Sequence, residues 1–194
     1  MKRIDSLRAI VFDFDGVILE SAEVKTEAFL ELYAAHPDKL GAIREYHVSQ
    51  AGISRYVKFE HIQRNILGLP YTEDDKRRVS AEFERLTRER IFRCPQVPGA
   101  EDLLRGLRGR VRRIVGSGTP RLKPGILKDV MARHNLSPRQ VLMVGDGMSD
   151  YDAARETGTR FLARETETSF AGLDVEKVRD MRGMAAWLEG EEGP

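Results

Sequence analysis

The spacing of apolar positions divides the chain into segments of two textures. Near the start, Ala9-Ile10-Val11-Phe12 is an unbroken apolar run with branched side chains, stopped by Asp13-Phe14-Asp15-Gly16. So short a run predicts a strand buried on both faces of a parallel sheet, with polar chemistry at its carboxyl end. From Ser21 to about Phe92, apolar residues recur instead at three- and four-residue steps, as at Phe29, Leu30 and Tyr33 and again at Phe83, Leu86 and Ile91. That period belongs to amphipathic helices. Breaks near Pro37, Gly52 and Gly68-Leu69-Pro70 divide the stretch into about four of them.

The turn-rich segment Cys94-Pro95-Gln96-Val97-Pro98-Gly99 ends the helical texture, and strand and helix then alternate. Helices are expected over Glu101 to Leu107, Pro124 to His134, Ser149 to Glu156 and Val175 to Leu188. Strands are expected over Val111 to Val115, Val141 to Val144 and Arg160 to Leu162. Alternation of this kind implies an α/β fold, a doubly wound parallel sheet with helices on both faces. The expected organisation is a core of residues 1–19 and 95–194, interrupted after its first strand by a helical insert at residues 20–94. Ligands in such sheets bind beyond the carboxyl ends of the strands.

Composition narrows the function classes. With 32 basic and 31 acidic residues the 194-residue chain carries a formal net charge of +1. It lacks the basic excess that phosphate-backbone binding requires, so no nucleic-acid partner is expected. The arginine pairs Arg77-Arg78 and Arg112-Arg113 read as solvated faces among interleaved glutamates. Cys94 is the only cysteine, so no intrachain disulfide forms. No apolar run is long enough for a signal peptide or a membrane span, and a cytoplasmic protein without a membrane partner is expected. His36, His47, His61 and His134 show no metal-ligand spacing, which argues against zinc.

The candidate chemistry gathers at the predicted strand ends. Asp13 and Asp15 lie two apart after the first strand, and carboxylates held close together favour a shared cation or one raised pKa. Gly145-Asp146-Gly147-Met148-Ser149-Asp150 follows the strand Val141 to Val144 and supplies further oxygen ligands, a set suited to a hard ion with magnesium first. Ser117-Gly118-Thr119 follows another strand, offering a hydroxyl and backbone N–H groups to a phosphate oxygen. Lys123 opens the next predicted helix. Each piece alone has a bland explanation as a turn, a cap or a solvated charge. Their conjunction on one rim points to phosphoryl chemistry, in which a cation neutralises the phosphate oxygens and a carboxylate attacks phosphorus.

Phe12-Asp13-Phe14-Asp15-Gly16-Val17-Ile18-Leu19-Glu20-Ser21 resembles the first motif of the haloacid dehalogenase superfamily. Ser117 is similar to its second motif, Lys123-Pro124 to its third, and Gly145-Asp146 with Asp150 to its fourth. The resemblance spans about Ile10 to Leu162 and implies an Mg2+-dependent phosphatase of the phosphoglycolate phosphatase or β-phosphoglucomutase type. It implies Asp13 as nucleophile and Asp15 as general acid/base, with Ser117 and Lys123 holding the phosphoryl group. Magnesium would sit on Asp13, the Asp15 carbonyl and Asp146, with Asp150 as ligand or neighbour. The insert would be the family's helical cap, in which Gly52, Arg55 and Lys58, with Gly118 and Thr119 in the core, would bind a small phosphorylated substrate. For the insert segment the residues leave another reading open: Ser54 as a helix cap followed by two surface cations. A monomer or homodimer is expected.

One departure stands out. Only five residues separate Ser117 from Lys123, where the family places a helix and a further strand, and a parallel crossover needs a dozen or more. Either the core lacks an edge βα unit or the sequence omits a segment. The rival functions are a phosphomutase, a phosphonate-cleaving enzyme using Lys25 or Lys58, a receiver-type phospho-acceptor switch, and a catalytically impaired binding protein.

Overall fold

The computed structural model describes residues 2–50, 53–117, 122–165, 170 and 172–191. The chain forms two units, Met1–Glu20 with Pro95–Pro194, and Ser21–Cys94.

The first unit is built on a five-stranded sheet of order β2-β1-β3-β4-β5. The strands are β1 (Ala9–Phe12), β2 (Arg112–Val115), β3 (Val141–Gly145), β4 (Arg160–Arg164) and β5 (Lys177–Val178), all paired in parallel. Every side chain of β1 and β3 is buried, which is why both read as unbroken apolar runs rather than alternating ones. On one face, Ile10, Phe12, Leu142 and Val144 pack with α5 (Ala100–Gly106) and α8 (Met181–Glu189), through Leu103, Met181, Met184 and Trp187. On the other, Ala9, Val11, Val141 and Met143 meet α6 (Lys123–His134) and α7 (Met148–Thr157), through Leu127, Val130, Ala153 and Ala154.

Two sequence expectations change here. The stretch from Val175 onward is not helical at its start: Lys177–Val178 joins the sheet edge, and the helix begins at Met181, capped by the Asp180 side chain accepting from the Arg182 and Gly183 N–H groups. A strand of two residues is too short to show a period of its own. The strand after Arg160 is longer than expected and runs to Arg164.

The short path from Ser117 to Lys123 leaves β2 at the sheet edge. Its residues are exposed at Arg112, Arg113 and Val115, in contrast to the fully buried β1 beside it. Among the described residues, the core has no strand beyond β2.

The second unit holds α1 (Ala22–Leu32), α2 (Leu40–Ser49), α3 (Arg55–His61) and α4 (Glu73–Arg93), with a π-helical turn at Ile62–Ile66. Its core joins Phe29, Phe59 and Phe83 in mutual ring contact at 4.7–5.5 Å between centroids, with Ile43, Ile62, Val79 and Leu86 around them. Thr72 starts α4 through a reciprocal capping box with Asp75. Arg77 and Arg78 are exposed and paired with Asp74 and Asp75.

Candidate active site

Strands β1 and β3 run in register, Phe12 opposite Val144, and the Asp13 N–H continues the ladder by donating to the Val144 carbonyl at 2.9 Å. Their carboxyl ends therefore deliver Asp13 and Asp146 to adjacent points on one rim. The first turn of α7 returns Asp150 to the same place, its Oδ2 accepting from the Gly147 N–H at 3.3 Å. The start of α6 contributes Lys123, whose Nζ lies 2.8 Å from Asp13 Oδ2 and 2.6 Å from Asp150 Oδ1. Asp13 Oδ1 accepts from the Phe14 N–H at 2.8 Å.

Carboxylate oxygens of Asp13, Asp146 and Asp150 lie within 4.8 Å of one another. Among the described residues, three carboxylates face one ammonium, which leaves two negative charges uncompensated when all three acids are ionised. The strain of that arrangement appears in the acids. Burial first, and then the charges of Asp13 and Asp150, push the Asp146 carboxyl up to about 7. Burial likewise raises Asp150, with Lys123 opposing and Asp13 adding to the rise. Burial alone would lower Lys123, but the facing Asp150 and Asp13 outweigh it and hold the ammonium raised. All-oxygen donors with a charge deficit of this size fit a hard divalent cation.

Backbone is pressed against these carboxylates. Gly16 adopts φ +70°, and a Cβ there would collide with the Asp146 carboxylate; one at Gly145 would collide with Asp150. Both positions need glycine for close approach. Asp15 is half-buried in a loop held by Gly16 N–H to Leu19 carbonyl (2.7 Å) and Leu19 N–H to Phe14 carbonyl (3.1 Å). Its carboxylate lies outside the three-acid group. The Gly116 N–H donates to the Phe12 carbonyl at 2.7 Å, so Ser117, solvent-exposed, leaves β2 beside the end of β1. Gly52, Gly118 and Thr119 lie outside the described residues.

In the helical unit, Arg55 opens α3, donates to the Tyr56 hydroxyl at 3.4 Å and lies over the Tyr56 and Phe83 rings. Its Nε is buried without a partner. Lys58 is not a surface cation: it is 4% exposed, because a position three residues on from Arg55 turns into the aromatic core. Its Nζ donates to the His47 carbonyl at 2.9 Å and lies 3.3 Å from His47 Nδ1, with no carboxylate paired to it among the described residues. Burial, then the neighbouring Lys25, pull the Lys58 ammonium down to about 8. Burial and the Lys58, Lys25 and Arg44 charges push His47 down to about 3. His47, against the Phe29 ring at 4.2 Å, had no signal in the sequence; it meets Lys58 only because α2 packs beside α3.

A separate apolar cavity of about 310 Å³ lies between α5 and α8 and contains none of these residues. No helix among the described residues is long and apolar enough to cross a membrane.

A parallel sheet with acids and one helix-borne lysine at its strand ends is a Rossmann-like core. A haloacid dehalogenase-like hydrolase model matches residues 7–122, and a HAD-hydrolase-like model matches residues 120–175. The chain belongs to the haloacid dehalogenase-like hydrolase family. A search of curated proteins gave no match. Among solved structures, the chain is similar to CbbY from Rhodobacter sphaeroides in complex with phosphate, at 20% identity and TM-score 0.67, covering 90% of this chain and 94% of that one. A β-phosphoglucomutase from Clostridium difficile gives 20% identity and TM-score 0.69, covering 89% and 90%. A family IA, variant 3 HAD hydrolase from Entamoeba histolytica gives 14% and 0.69, covering 91% and 94%.

Proposed function

We propose that the protein is an Mg2+-dependent phosphatase that hydrolyses a small soluble phosphate monoester through a phosphorylated Asp13. The observation that carries this reading is the buried rim cluster. One carboxylate, Asp13, is oriented by Lys123 and the Phe14 N–H, and two more acids beside it leave a deficit of positive charge.

Asp13, Asp146 and Asp150, with the Asp15 carbonyl, would hold the magnesium ion. When bound, the ion supplies electrostatic stabilisation of the phosphoryl oxygens. An Asp13 oxygen attacks phosphorus as the ester P–O bond breaks and its electron pair leaves with the alkoxide, which takes a proton from Asp15. Asp15 then accepts a proton from the water that attacks the aspartyl phosphate, and the Asp13 carboxylate is regenerated with release of inorganic phosphate. Lys123 fixes Asp13 and balances charge on the phosphoryl group, and Ser117 donates to one of its oxygens. In the sheet unit Gly118 and Thr119 would contribute to phosphate binding; in the helical unit Gly52, Arg55 and Lys58 are the candidate recognition residues. The two cations favour a substrate whose leaving group carries a second anion.

The test is hydrolysis of a chromogenic aryl phosphate with magnesium, with excess chelator, and with Asp13→Asn protein. Turnover is expected only for the unmodified protein with magnesium. Turnover that persists in chelator, or in the Asn variant free of deamidation, refutes the reading. A phosphomutase on the same residues would return the phosphoryl group to a hydroxyl, so release of inorganic phosphate separates the two.

A further inference from the structure

We propose that the open edge of β2 docks an extended acidic segment of a partner protein, which adds to the sheet as a further strand. The Arg112 N–H donates to the Arg8 carbonyl and the Gly116 N–H to the Phe12 carbonyl. By the alternation of a strand, Arg113 and Val115 turn their N–H and C=O groups the other way, towards the side where the strand order places no neighbour. Among the described residues those groups have no strand partner and form a hydrogen-bonding template. Val115 lies opposite Phe12, on the face covered by α5 and α8, yet is 55% exposed, so the edge offers apolar contact as well.

Charge selects the occupant. Arg112 and Arg113 are both exposed, and neither pairs with a carboxylate among the described residues; Arg113 donates to the Leu104 carbonyl at 2.6 Å. A second copy paired antiparallel over the same four residues would set Arg112 against Val115 and Arg113 against Ile114, leaving all four arginines without an acidic partner across the ladder. An acidic strand supplies those partners, so charge complementarity favours it over a second copy. An antiparallel strand, the slightly stronger pairing, would read apolar, apolar, acidic, acidic opposite Val115, Ile114, Arg113 and Arg112. Main-chain bonds supply affinity and the side chains specificity in this mode of recognition.

The test titrates the full chain with a blocked, fluorescent Val-Ile-Glu-Glu peptide flanked by serines, followed by anisotropy. Saturable binding is expected, weakened about tenfold or more, the size of one lost charge-assisted contact, when lysines replace the glutamates. The Arg112→Glu, Arg113→Glu double variant, altered only at exposed positions, should reverse that preference. N-methylation of the valine and first glutamate amides, which face β2, should abolish binding. N-methylation of the isoleucine and second glutamate amides, which face away, should leave it intact. Equal binding of both methylated peptides, no saturation, or dimerisation of the protein in light scattering through this edge would overturn the proposal.

Discussion

The sheet rim and the helical unit each bury one lysine, and the two environments are opposite. Lys123 is 6% exposed and sits between Asp13 and Asp150, which hold its ammonium charged. Lys58 is 4% exposed and among the described residues has only the neutral acceptors of His47, and its ammonium falls to about 8. Burial is the same, so the difference comes from counter-charge. A buried cation enclosed by acids is part of a built charge system. One without a counter-ion weakens the fold until an anion arrives. Among the described residues the rim is therefore short of positive charge and the surroundings of Lys58 are short of negative charge, a pattern that suits a cation at the first and an anion at the second.

Lys123→Met should break the comparison most severely. Activity should fall about a thousandfold or more, and stability in chelator by about 3–5 kcal/mol, since the acids lose the one cation that faces them among the described residues. With three carboxylates unopposed, the magnesium-induced rise in Tm should be larger in the variant than in the parent protein. An equal or smaller rise would show that the acids do not form one charge system.

Lys58→Met should act in the reverse direction. Burial and the neighbouring Lys25 pull the folded ammonium down to about 8 from the ordinary lysine value of 10.5. The folded state therefore binds fewer protons than the unfolded state between those values, and parent stability rises with pH across that window. The penalty of the buried charge is fully present below pH 8 and gone above 10.5. The Met variant should be more stable by about 1–3 kcal/mol at neutral pH, with the gap closing by about pH 10 in paired denaturant titrations. A variant less stable at neutral pH would show that the bond to the His47 carbonyl outweighs desolvation.

Arg55→Ala should have the smallest effect. Activity on phosphate esters bearing a second anion should drop about tenfold, with much less change on an aryl phosphate. Equal losses on both would assign Arg55 to the fold.

The rim was legible in the sequence because its parts are local. Asp13, Asp146 and Lys123 each adjoin an apolar run or a helix start, and parallel topology brings such ends together. The shortened path from Ser117 to Lys123 likewise foretold an exposed edge, observed at β2. What was hidden depends on contacts between distant elements. Lys58 is enclosed by His47 of α2 and Phe29 of α1, contacts that no period records. Strand β5 consists of Lys177–Val178 alone and merged with the helix after it. The exclusion of side chains at Gly16 and Gly145 is visible only once Asp146 and Asp150 are in place.

The central claim is that Asp13 is the nucleophile. The most direct measurement is acid quenching of the protein during turnover of an aryl phosphate with magnesium, followed by peptide mass mapping. The account expects phosphate on the peptide containing Asp13, absent in Asp13→Asn and in chelator. Sustained turnover with that peptide unmodified, or with phosphate on another residue, would contradict it.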